Sequence, residues 1–390
     1  MHKGSEEDFV NDEMVAVVKR YEKMLDEFAQ YYFDVHELEI IFDYYFGLKK
    51  FKRAREVLKL GQAQHPGAIS LQLKEAQILV EKGKAREALE KIQLVESVDS
   101  TNEGLYLLKG SAYLLLGKYD TAQKYYEQAI DLAEEPEEWI LNISYTFERI
   151  GKFDLAIHFL KRFLVNNPDN EDILWELAIF YEQSGQDEMA LKTYRKFLDL
   201  QPFSDAGWYN MGVILNQTEK FEEAIEAFDY VLAINPDFNS ALFNKGNTLA
   251  NLDRHEDAIQ TYSEFLLKDE NHPLTLNYIG ESYEKLNDNA MAYQYYRKAR
   301  AADPSFSDSW YGLASIMLNR ENPYEALYYI RKAIQLKNGN PDYLFLLGKV
   351  NMKLEFFDDA LKAFQEVLKI DPDDEEAQLM IDKIKAENRE

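Results

Sequence analysis

Asparagine side chains recur in this sequence at places where a good helix former is expected. Asn142, Asn210 and Asn244 lie within stretches whose apolar residues have helical spacing. Asparagine is unfavourable inside a helix, and capping does not account for these positions. A primary amide both donates and accepts hydrogen bonds, which suits it to hold a peptide backbone. These residues therefore indicate recognition of an extended chain.

The residue types of an enzyme active site are present, but their spacing does not assemble one. The six histidines include no HExxH pair, and the glycine–lysine pairs lack the spacing and the Ser/Thr of a phosphate loop. The acidic runs at 134–138 and 372–376 lack the alternating ligands and the glycine of a calcium loop. There is no nucleophile-elbow signature. We expect no catalysis, no cofactor and no metal site.

Composition restricts the class of partner. The 390 residues include 44 Lys plus Arg against 70 Asp plus Glu, for a net charge of −26. Such a field repels phosphate backbones and anionic lipid headgroups, so we expect neither a nucleic acid nor a membrane as partner. The chain has no cysteine, which excludes disulfides and thiolate chemistry. The start, MHKGSEEDFV, has no apolar signal core and no apolar run could span a bilayer, so a cytoplasmic location is expected.

One alanine recurs every 34 residues. It is found at Ala54, Ala88, Ala122, Ala156, Ala190, Ala224, Ala258, Ala292, Ala326 and Ala360. If this alanine is position 20 of a repeating unit, position 8 is small in every unit except the first, which has Phe42. Position 24 is always large and apolar or aromatic, and position 32 is often proline. Ten units therefore occupy residues 35–374 without insertion.

Each unit contains two apolar patterns with helical spacing. A small residue at position 8 and alanine at position 20 let two helices approach closely, and the large side chain at position 24 fills the space beside them. Gly83, Gly117, Gly151 and Gly185 follow the first helix, where a left-handed residue ends it. Proline at position 32 ends the second helix. The sequence predicts an all-α chain of helix–turn–helix units.

This combination of period and positions resembles the tetratricopeptide repeat family. The resemblance implies a right-handed α-solenoid of ten repeats, starting near 35, 69, 103, 137, 171, 205, 239, 273, 307 and 341. Residues 1–34 are expected to hold an N-terminal capping helix, from about 8 to 30, and residues 375–390 a C-terminal one, because terminal repeats must cover an apolar face.

The first two units depart from the family pattern. Phe42 replaces the small residue, Gly61 replaces an apolar one, and Gln72 and Glu75 stand where apolar residues are expected. The aromatic segment YYFDVHELEIIFDYYF at 31–46 is expected to form a different core at the N-terminal end, packed with larger side chains. Two interpretations remain open, a variant cap and a docking surface for a partner.

The resemblance further implies that the first helices line a concave groove and contact ligands from positions 2, 5, 6, 9, 12 and 13. Some family members hold extended peptides through asparagine at position 6. Others bind acidic C-termini through a lysine at position 5, which this chain lacks. The predicted peptide-binding residues are Asn142, Tyr145, Glu148, Trp175, Glu182, Tyr209, Asn210, Phe243, Asn244, Asn247, Asn277, Glu281, Tyr311 and Phe345. The glutamates, with Glu284, favour a neutral to basic segment.

The sequence thus predicts a non-enzymatic scaffold that binds a peptide or protein segment. Two alternatives stay open. The aromatic residues also suit packing between neighbouring first helices, with the asparagines bonded to each other or facing water. The chain could also serve as a structural homo-oligomer that associates through its N-terminal aromatic end or a convex face. The sequence leaves the partner and the oligomeric state undetermined.

Overall fold

The computed structural model describes residues 12–98 and 102–387. Within these residues the chain forms 22 α-helices, and no strand is found among them. The helices follow one another as tandem pairs, which confirms the expected all-α architecture. The chain divides between Pro168 and Asp169 into two compact units.

The first unit contains helices α1 to α9 in its described residues. They are α1 (Asp12–Asp26), α2 (Val35–Gly47), α3 (Phe51–Gln64), α4 (Ile69–Glu81), α5 (Ala85–Glu96), α6 (Glu103–Leu115), α7 (Tyr119–Leu132), α8 (Glu137–Glu148) and α9 (Phe153–Asn166). From α2 onward, an even-numbered helix is the first of a pair and the following odd-numbered helix is the second.

The second unit continues this alternation. Its helices are α10 (Glu171–Gln183), α11 (Asp187–Leu200), α12 (Asp205–Gln217), α13 (Phe221–Ile234), α14 (Asn239–Asn251), α15 (His255–Leu266), α16 (Pro273–Lys285), α17 (Asn289–Ala302), α18 (Ser307–Asn319), α19 (Pro323–Leu336), α20 (Pro341–Lys353), α21 (Phe357–Ile370) and α22 (Glu375–Glu387).

The two helices of a pair pack through the positions that the sequence singles out. Every repeating alanine from Ala54 to Ala360 is fully buried. A Cβ added at Gly212 would lie 2.8 Å from Cε1 of Phe228, and one added at Gly246 would lie 2.4 Å from Cε1 of Tyr262. In these two pairs the first helix therefore rests directly on the ring of the second, and a residue larger than glycine has no room at position 8.

Proline ends the second helices as expected. Helix α13 ends at Ile234, two residues before Pro236, and the fixed φ and missing N–H of proline prevent the helix from continuing. The same offset separates the ends of α3, α9, α11, α17 and α21 from Pro66, Pro168, Pro202, Pro304 and Pro372. Each proline thus marks the point where the chain turns toward the next pair.

A left-handed residue follows every first helix from α2 to α20. Gly83, Gly117, Gly151 and Gly185 have φ between 69° and 72°, which confirms the predicted turns. The equivalent residue in the other pairs is not glycine, yet φ is still 56° to 61° at Lys49, Glu219, Asp253, Asn287, Glu321 and Glu355. A side chain with a Cβ is strained in this conformation, so these six turns are less favourable than the glycine turns.

Replacing Glu219 by glycine is expected to stabilise the second unit. The left-handed penalty is removed, while glycine costs some unfolded-state entropy, which leaves a gain of about 0.5–1 kcal/mol. Urea unfolding measures this gain in the free energy of unfolding. Glu222→Gly, within α13 and outside the turn, should destabilise by a similar amount. A loss of stability in Glu219→Gly would contradict the strain that we assign to this turn.

The aromatic residues at the N-terminal end form a core among α1, α2 and α3. Phe42 is fully buried, and the ring of Tyr21 lies 6.0 Å from the rings of both Phe33 and Tyr45 in edge-to-face geometry. Tyr32 differs from them because it is 67% exposed. This packing favours the variant-cap interpretation of the aromatic segment over a docking surface.

The other departures in the first pairs have local explanations. A Cβ at Gly61 would lie 2.7 Å from Cδ1 of Leu71, so the missing side chain makes room for the next helix. Glu75 is half-buried and forms an ion pair of 3.0 Å with Lys91 of α5, and Gln72 is also half-buried. Polar residues are therefore tolerated here because they stay at the edge of the core.

Helices are present at both predicted caps. The helix expected from 8 to 30 is observed as α1, and its predicted residues 8–11 lie outside the described residues. At the other end, α22 buries Ala377, Ile381 and Ile384 against the ring of Phe364 and its neighbours. The C-terminal helix therefore covers the last pair with an apolar stripe, and residues 388–390 lie outside the described residues.

Candidate functional site

The predicted binding residues fall in both units. Asn142, Tyr145 and Glu148 lie on α8 of the first unit, where Glu148 is half-buried and the other two are exposed. The remaining eleven lie on the first helices of the second unit, α10, α12, α14, α16, α18 and α20. We call the exposed and half-buried residues of these six helices the first-helix face. This face carries the candidate site.

The predicted aromatic residues of the first-helix face are half-buried and pack on neighbouring rings. The ring of Trp175 lies 5.2 Å from Phe197, and Tyr311 stacks on Tyr343 at 5.2 Å. Tyr209, Phe243 and Phe345 have comparable contacts with Phe238, Tyr278 and Phe364 at 4.9, 5.8 and 5.3 Å. These side chains stabilise the helix array, and part of each remains accessible to a ligand.

Two asparagines are oriented by tyrosine hydroxyls. Asn210 donates through Nδ2 to the hydroxyl of Tyr194 at 3.1 Å, and Asn244 donates in the same way to Tyr209 at 3.0 Å. Within the described part of the chain, the Oδ1 atoms of both amides have no hydrogen-bond partner. Each side chain is therefore held in place and keeps one acceptor for a ligand.

A third amide is held through its oxygen. Asn247 accepts a hydrogen bond from the hydroxyl of Tyr262 at 2.7 Å, which leaves its Nδ2 to donate. Asn216 also accepts a bond through Oδ1, from Thr248 at 2.9 Å. The asparagines thus bond to tyrosine and threonine hydroxyls in the second unit, and the structure shows no bond between two of these amides.

Asn277 differs from the other predicted asparagines because it is only 1% exposed. Its Nδ2 donates to Oε1 of Glu281 at 2.7 Å. Its Oδ1 is buried without a hydrogen-bond partner in the described residues. Asn277 therefore lies beneath the surface and orients Glu281, where the sequence predicted direct contact with a ligand.

Glu281 has an unusual electrostatic setting. By its accessible area Glu281 is an exposed residue, but it lines a concave region in which the surrounding protein desolvates the carboxylate. This burial raises the pKa of Glu281 to about 7, and the negative charges of Asp308 and Glu284 contribute in the same direction. The hydrogen bond from Asn277 and the positive charge of Lys285 lower this pKa and only partly offset the increase. Glu281 therefore changes charge near neutral pH.

Tyrosine hydroxyls from the second helices reach the first-helix face, a contribution that the sequence analysis missed. The rings of Tyr194 and Tyr296 are buried, and their hydroxyls donate to Glu182 at 3.2 Å and to Glu284 at 2.8 Å. Burial also raises the pKa of Glu182. These tyrosines fix the direction of acidic side chains on the face while filling the core.

A polar cavity of about 470 Å³ opens between α12, α14, α15 and α16, and we call it the α14–α16 recess. Its principal lining residues are Asn216, Asn247, His255, Tyr262, Tyr278 and Glu281. Amides, phenol rings, a carboxylate and the ammonium group of Lys285 thus line one concave place, and a few convergent polar groups are typical of a ligand site.

The recess brings together only part of the predicted set. Asn247 and Glu281 line it, and Asn277 and Phe243 contact its walls through Glu281 and Tyr278. The other predicted residues of the second unit lie outside its lining, either elsewhere on α12 and α14 or on α10, α18 and α20: Trp175, Glu182, Tyr209, Asn210, Asn244, Tyr311 and Phe345. The recess therefore occupies the middle of a longer face.

A larger cavity of about 750 Å³ lies along α11, α12 and α13 and has a different character. It is lined mainly by apolar residues, among them Phe203, Trp208 and Tyr230, and the last two stack at 4.3 Å. It contains none of the predicted binding residues. Since specific recognition needs a few convergent polar groups, we place the candidate site at the α14–α16 recess.

Two further classes of site are absent from the described residues. In residues 12–98 and 102–387, no three acidic or histidine side chains are grouped so as to hold a metal ion. None of the helices in those ranges has both the length and the apolar character needed to cross a membrane.

Family models match successive parts of the chain. Models of the tetratricopeptide repeat match residues 104–136, 141–205, 206–238 and 240–272. A model of subunit 3 of the anaphase-promoting complex (cyclosome) matches residues 285–367. No curated protein matches the chain.

Solved structures resemble parts of the chain at low sequence identity. A tetratricopeptide repeat protein from Parabacteroides merdae is 17% identical, with 63% of this chain and 98% of that one aligned and a TM-score of 0.51. PilW, described as a type IV pilus biogenesis factor, is 21% identical over 54% of this chain and 98% of its own, with a TM-score of 0.48. YrrB, described as having an unusual peptide-binding site, is 19% identical over 47% and 95%, with a TM-score of 0.41.

Proposed function

We propose that this chain, which belongs to the tetratricopeptide repeat family, is a non-enzymatic interaction scaffold that holds an extended peptide segment along its first-helix face. The α14–α16 recess is the centre of this surface. The proposal depends on the hydrogen bonding of three amide side chains. Asn210, Asn244 and Asn247 are each anchored by one hydrogen bond and retain a second polar group that can bond to a ligand.

The retained groups match the needs of a peptide backbone. An extended chain presents alternating N–H and C=O groups, which must be paired when they leave water. Oδ1 of Asn210 and Asn244 can accept from backbone N–H groups, and Nδ2 of Asn247 can donate to a carbonyl. Because tyrosine hydroxyls already fix the side chains of Asn210, Asn244 and Asn247, binding costs less rotamer entropy than it would with free amides.

Charge favours a neutral or basic segment. Glu182, Glu281 and Glu284 lie on the first-helix face, and the whole chain carries a net charge of −26. An acidic segment would be repelled over the length of the face, whereas a basic one would be attracted and would associate faster. The half-buried rings of Tyr209 and Phe243 supply apolar surface beside the amides.

The test is removal of two amides. Asn210→Ala with Asn244→Ala is expected to weaken the best binder from a randomised peptide library by about tenfold or more, because two backbone hydrogen bonds are lost. The melting temperature should change little, since each amide contributes one hydrogen bond to a tyrosine. Fluorescence anisotropy and thermal unfolding measure the two effects.

The matched control is Asn338→Ala, an exposed asparagine in the loop after α19. It should bind the selected peptide as the parent protein does. If the double variant also binds with unchanged affinity, the amides do not hold the peptide and the proposal is wrong.

A further inference from the structure

The α14–α16 recess has the size and the wall chemistry of a side-chain site. Its volume of about 470 Å³ lies within the range typical of ligand pockets. The half-buried Tyr278 supplies ring surface, while Asn247 and Glu281 supply polar groups; Tyr262 also lines the recess but is only 1% exposed. An apolar wall beside a carboxylate suits a ligand with a hydrocarbon stem and a charged head, as in long basic side chains.

The recess contains negative charge that its lysine, Lys285, offsets only in part. The carboxylate of Glu281 lies close enough to Glu284 and Asp308 for their charges to raise its pKa. In residues 12–98 and 102–387, none of these three carboxylates forms an ion pair with a lysine, arginine or histidine. Lys285, at the rim, is exposed and makes no ion pair. Because clustered charges are normally paired, a cationic ligand would complete the site.

Two buried polar atoms next to the recess give an independent indication of a ligand. Nδ1 of His255, which lines the recess, and Oδ1 of Asn277, which adjoins Glu281, have no hydrogen-bond partner in the described residues. Buried polar atoms are paired in the great majority of cases. Both atoms can accept a hydrogen bond, so a ligand with several N–H donors would supply the missing hydrogen bonds.

We propose that the α14–α16 recess binds the cationic side chain of one lysine or arginine in the peptide segment, with its charged head at Glu281 and its stem beside Tyr278. This assignment rests on the proposed peptide-binding function and names the residue that gives it specificity. The ring of Tyr278 adds cation–π attraction, and the charge-assisted hydrogen bond to the carboxylate is the strongest contact.

Binding of the cation is expected to tighten as the pH rises from about 6 to about 8, because burial raises the pKa of Glu281 to about 7 and its negative form grows over this range. The other charged and titratable groups around it are His255 and Tyr262 on α15, Tyr278, Glu284 and Lys285 on α16, Tyr296 on α17, and Asp308 and Tyr311 on α18. A Glu281→Gln variant removes the titrating carboxylate and should abolish this pH dependence.

The experiment uses peptide pairs that differ in one charge. Peptides of about ten residues with neutral flanks carry either arginine or its neutral isostere citrulline at a central position. At about pH 8 the arginine peptides should bind about tenfold more tightly than their citrulline partners, and Glu281→Gln should reduce this ratio to less than about twofold. Glu226→Gln, at an exposed residue of α13 outside the first-helix face, is the matched control and should keep the full ratio. Equal affinity within the pairs, or a ratio unchanged in Glu281→Gln, overturns the proposal.

A second arm separates this inference from the proposed function. n-Butylguanidinium carries the cation without a peptide backbone, and its saturation-transfer NMR signal with the full chain should disappear in Glu281→Gln. If this signal is seen and no peptide binds, the recess assignment holds and the peptide-binding function is wrong. If peptides bind without a preference for arginine and the small cation gives no signal, the recess assignment is wrong and the peptide-binding function holds.

Discussion

Phe228→Ala is expected to lower the free energy of unfolding of the second unit by about 3–5 kcal/mol. The ring is fully buried between α12 and α13, and it lies so close to Gly212 that an added Cβ there would be 2.8 Å from Cε1. The neighbouring pairs hold these two helices from both sides, so the space left by the ring cannot close. Urea unfolding followed by tryptophan fluorescence measures the loss, because Trp175, Trp208 and Trp310 all lie in this unit.

The control for this prediction comes from the repeat itself. Leu58 and Leu160 occupy the equivalent position in other pairs and are buried there. Phe228→Leu should therefore cost less than about 1.5 kcal/mol, as expected for an apolar replacement that keeps most of the volume. If the alanine and leucine variants lose the same stability, the cost does not come from a cavity.

The pairing of helices could be predicted from the sequence because its causes are local and repeated. Alanine at position 20 and proline at position 32 act within one helix or one turn, so every copy adds independent support for the same geometry. The buried alanines and the ends of the second helices agree with these signals. The six left-handed turns without glycine were not predicted. Lys49 and Glu219 have no side-chain feature that marks this conformation, although aspartate and asparagine, as at Asp253 and Asn287, adopt it more readily than other residues.

The sequence also contains a pattern that predicts which units have a buried tyrosine at position 24. Tyr194 and Tyr296 belong to units whose first helix has glutamate at position 12. The unit that contains Tyr262 has asparagine at position 9 of its first helix. In two units without such a pairing, residues 228 and 364 are phenylalanine. A polar partner across the pair is the reason for the hydroxyl, since a buried phenol must find an acceptor.

The candidate site was predicted only in outline, because it depends on contacts between different pairs. The sequence placed Asn247 and Glu281 on first helices, but it did not place His255 or Tyr262 beside them. It also assigned Asn277 to the surface, although this residue is buried below Glu281. The angle between successive helices sets these distances, and no short pattern in the chain specifies that angle.

A second large loss of stability is expected when the glycine at position 8 of the last pair, Gly348, is replaced. A Cβ at Gly348 would lie 2.6 Å from Cε1 and Cζ of Phe364, whose ring is fully buried. Gly348→Ala is therefore expected to lower the free energy of unfolding by about 1–3 kcal/mol through overpacking. Gly47→Ala, at the end of α2 where nothing lies within 4 Å of the added Cβ, is the control and should be neutral or slightly stabilising. Circular dichroism during urea unfolding measures both variants.

A second substitution tests whether the clash with the ring is the cause. In the preceding pair, α18 and α19, the equivalent positions pack a larger residue against a smaller one. Ala314 is at position 8 and Ile330 at position 24, and both are fully buried. Phe364→Ile should therefore relieve Gly348→Ala, and the double variant should be more stable than the sum of the single losses by about 1 kcal/mol or more. Strictly additive losses would contradict this account. They would mean that α20 and α21 do not adjust to each other through this ring, and that the match between small and large positions reflects helix propensity alone.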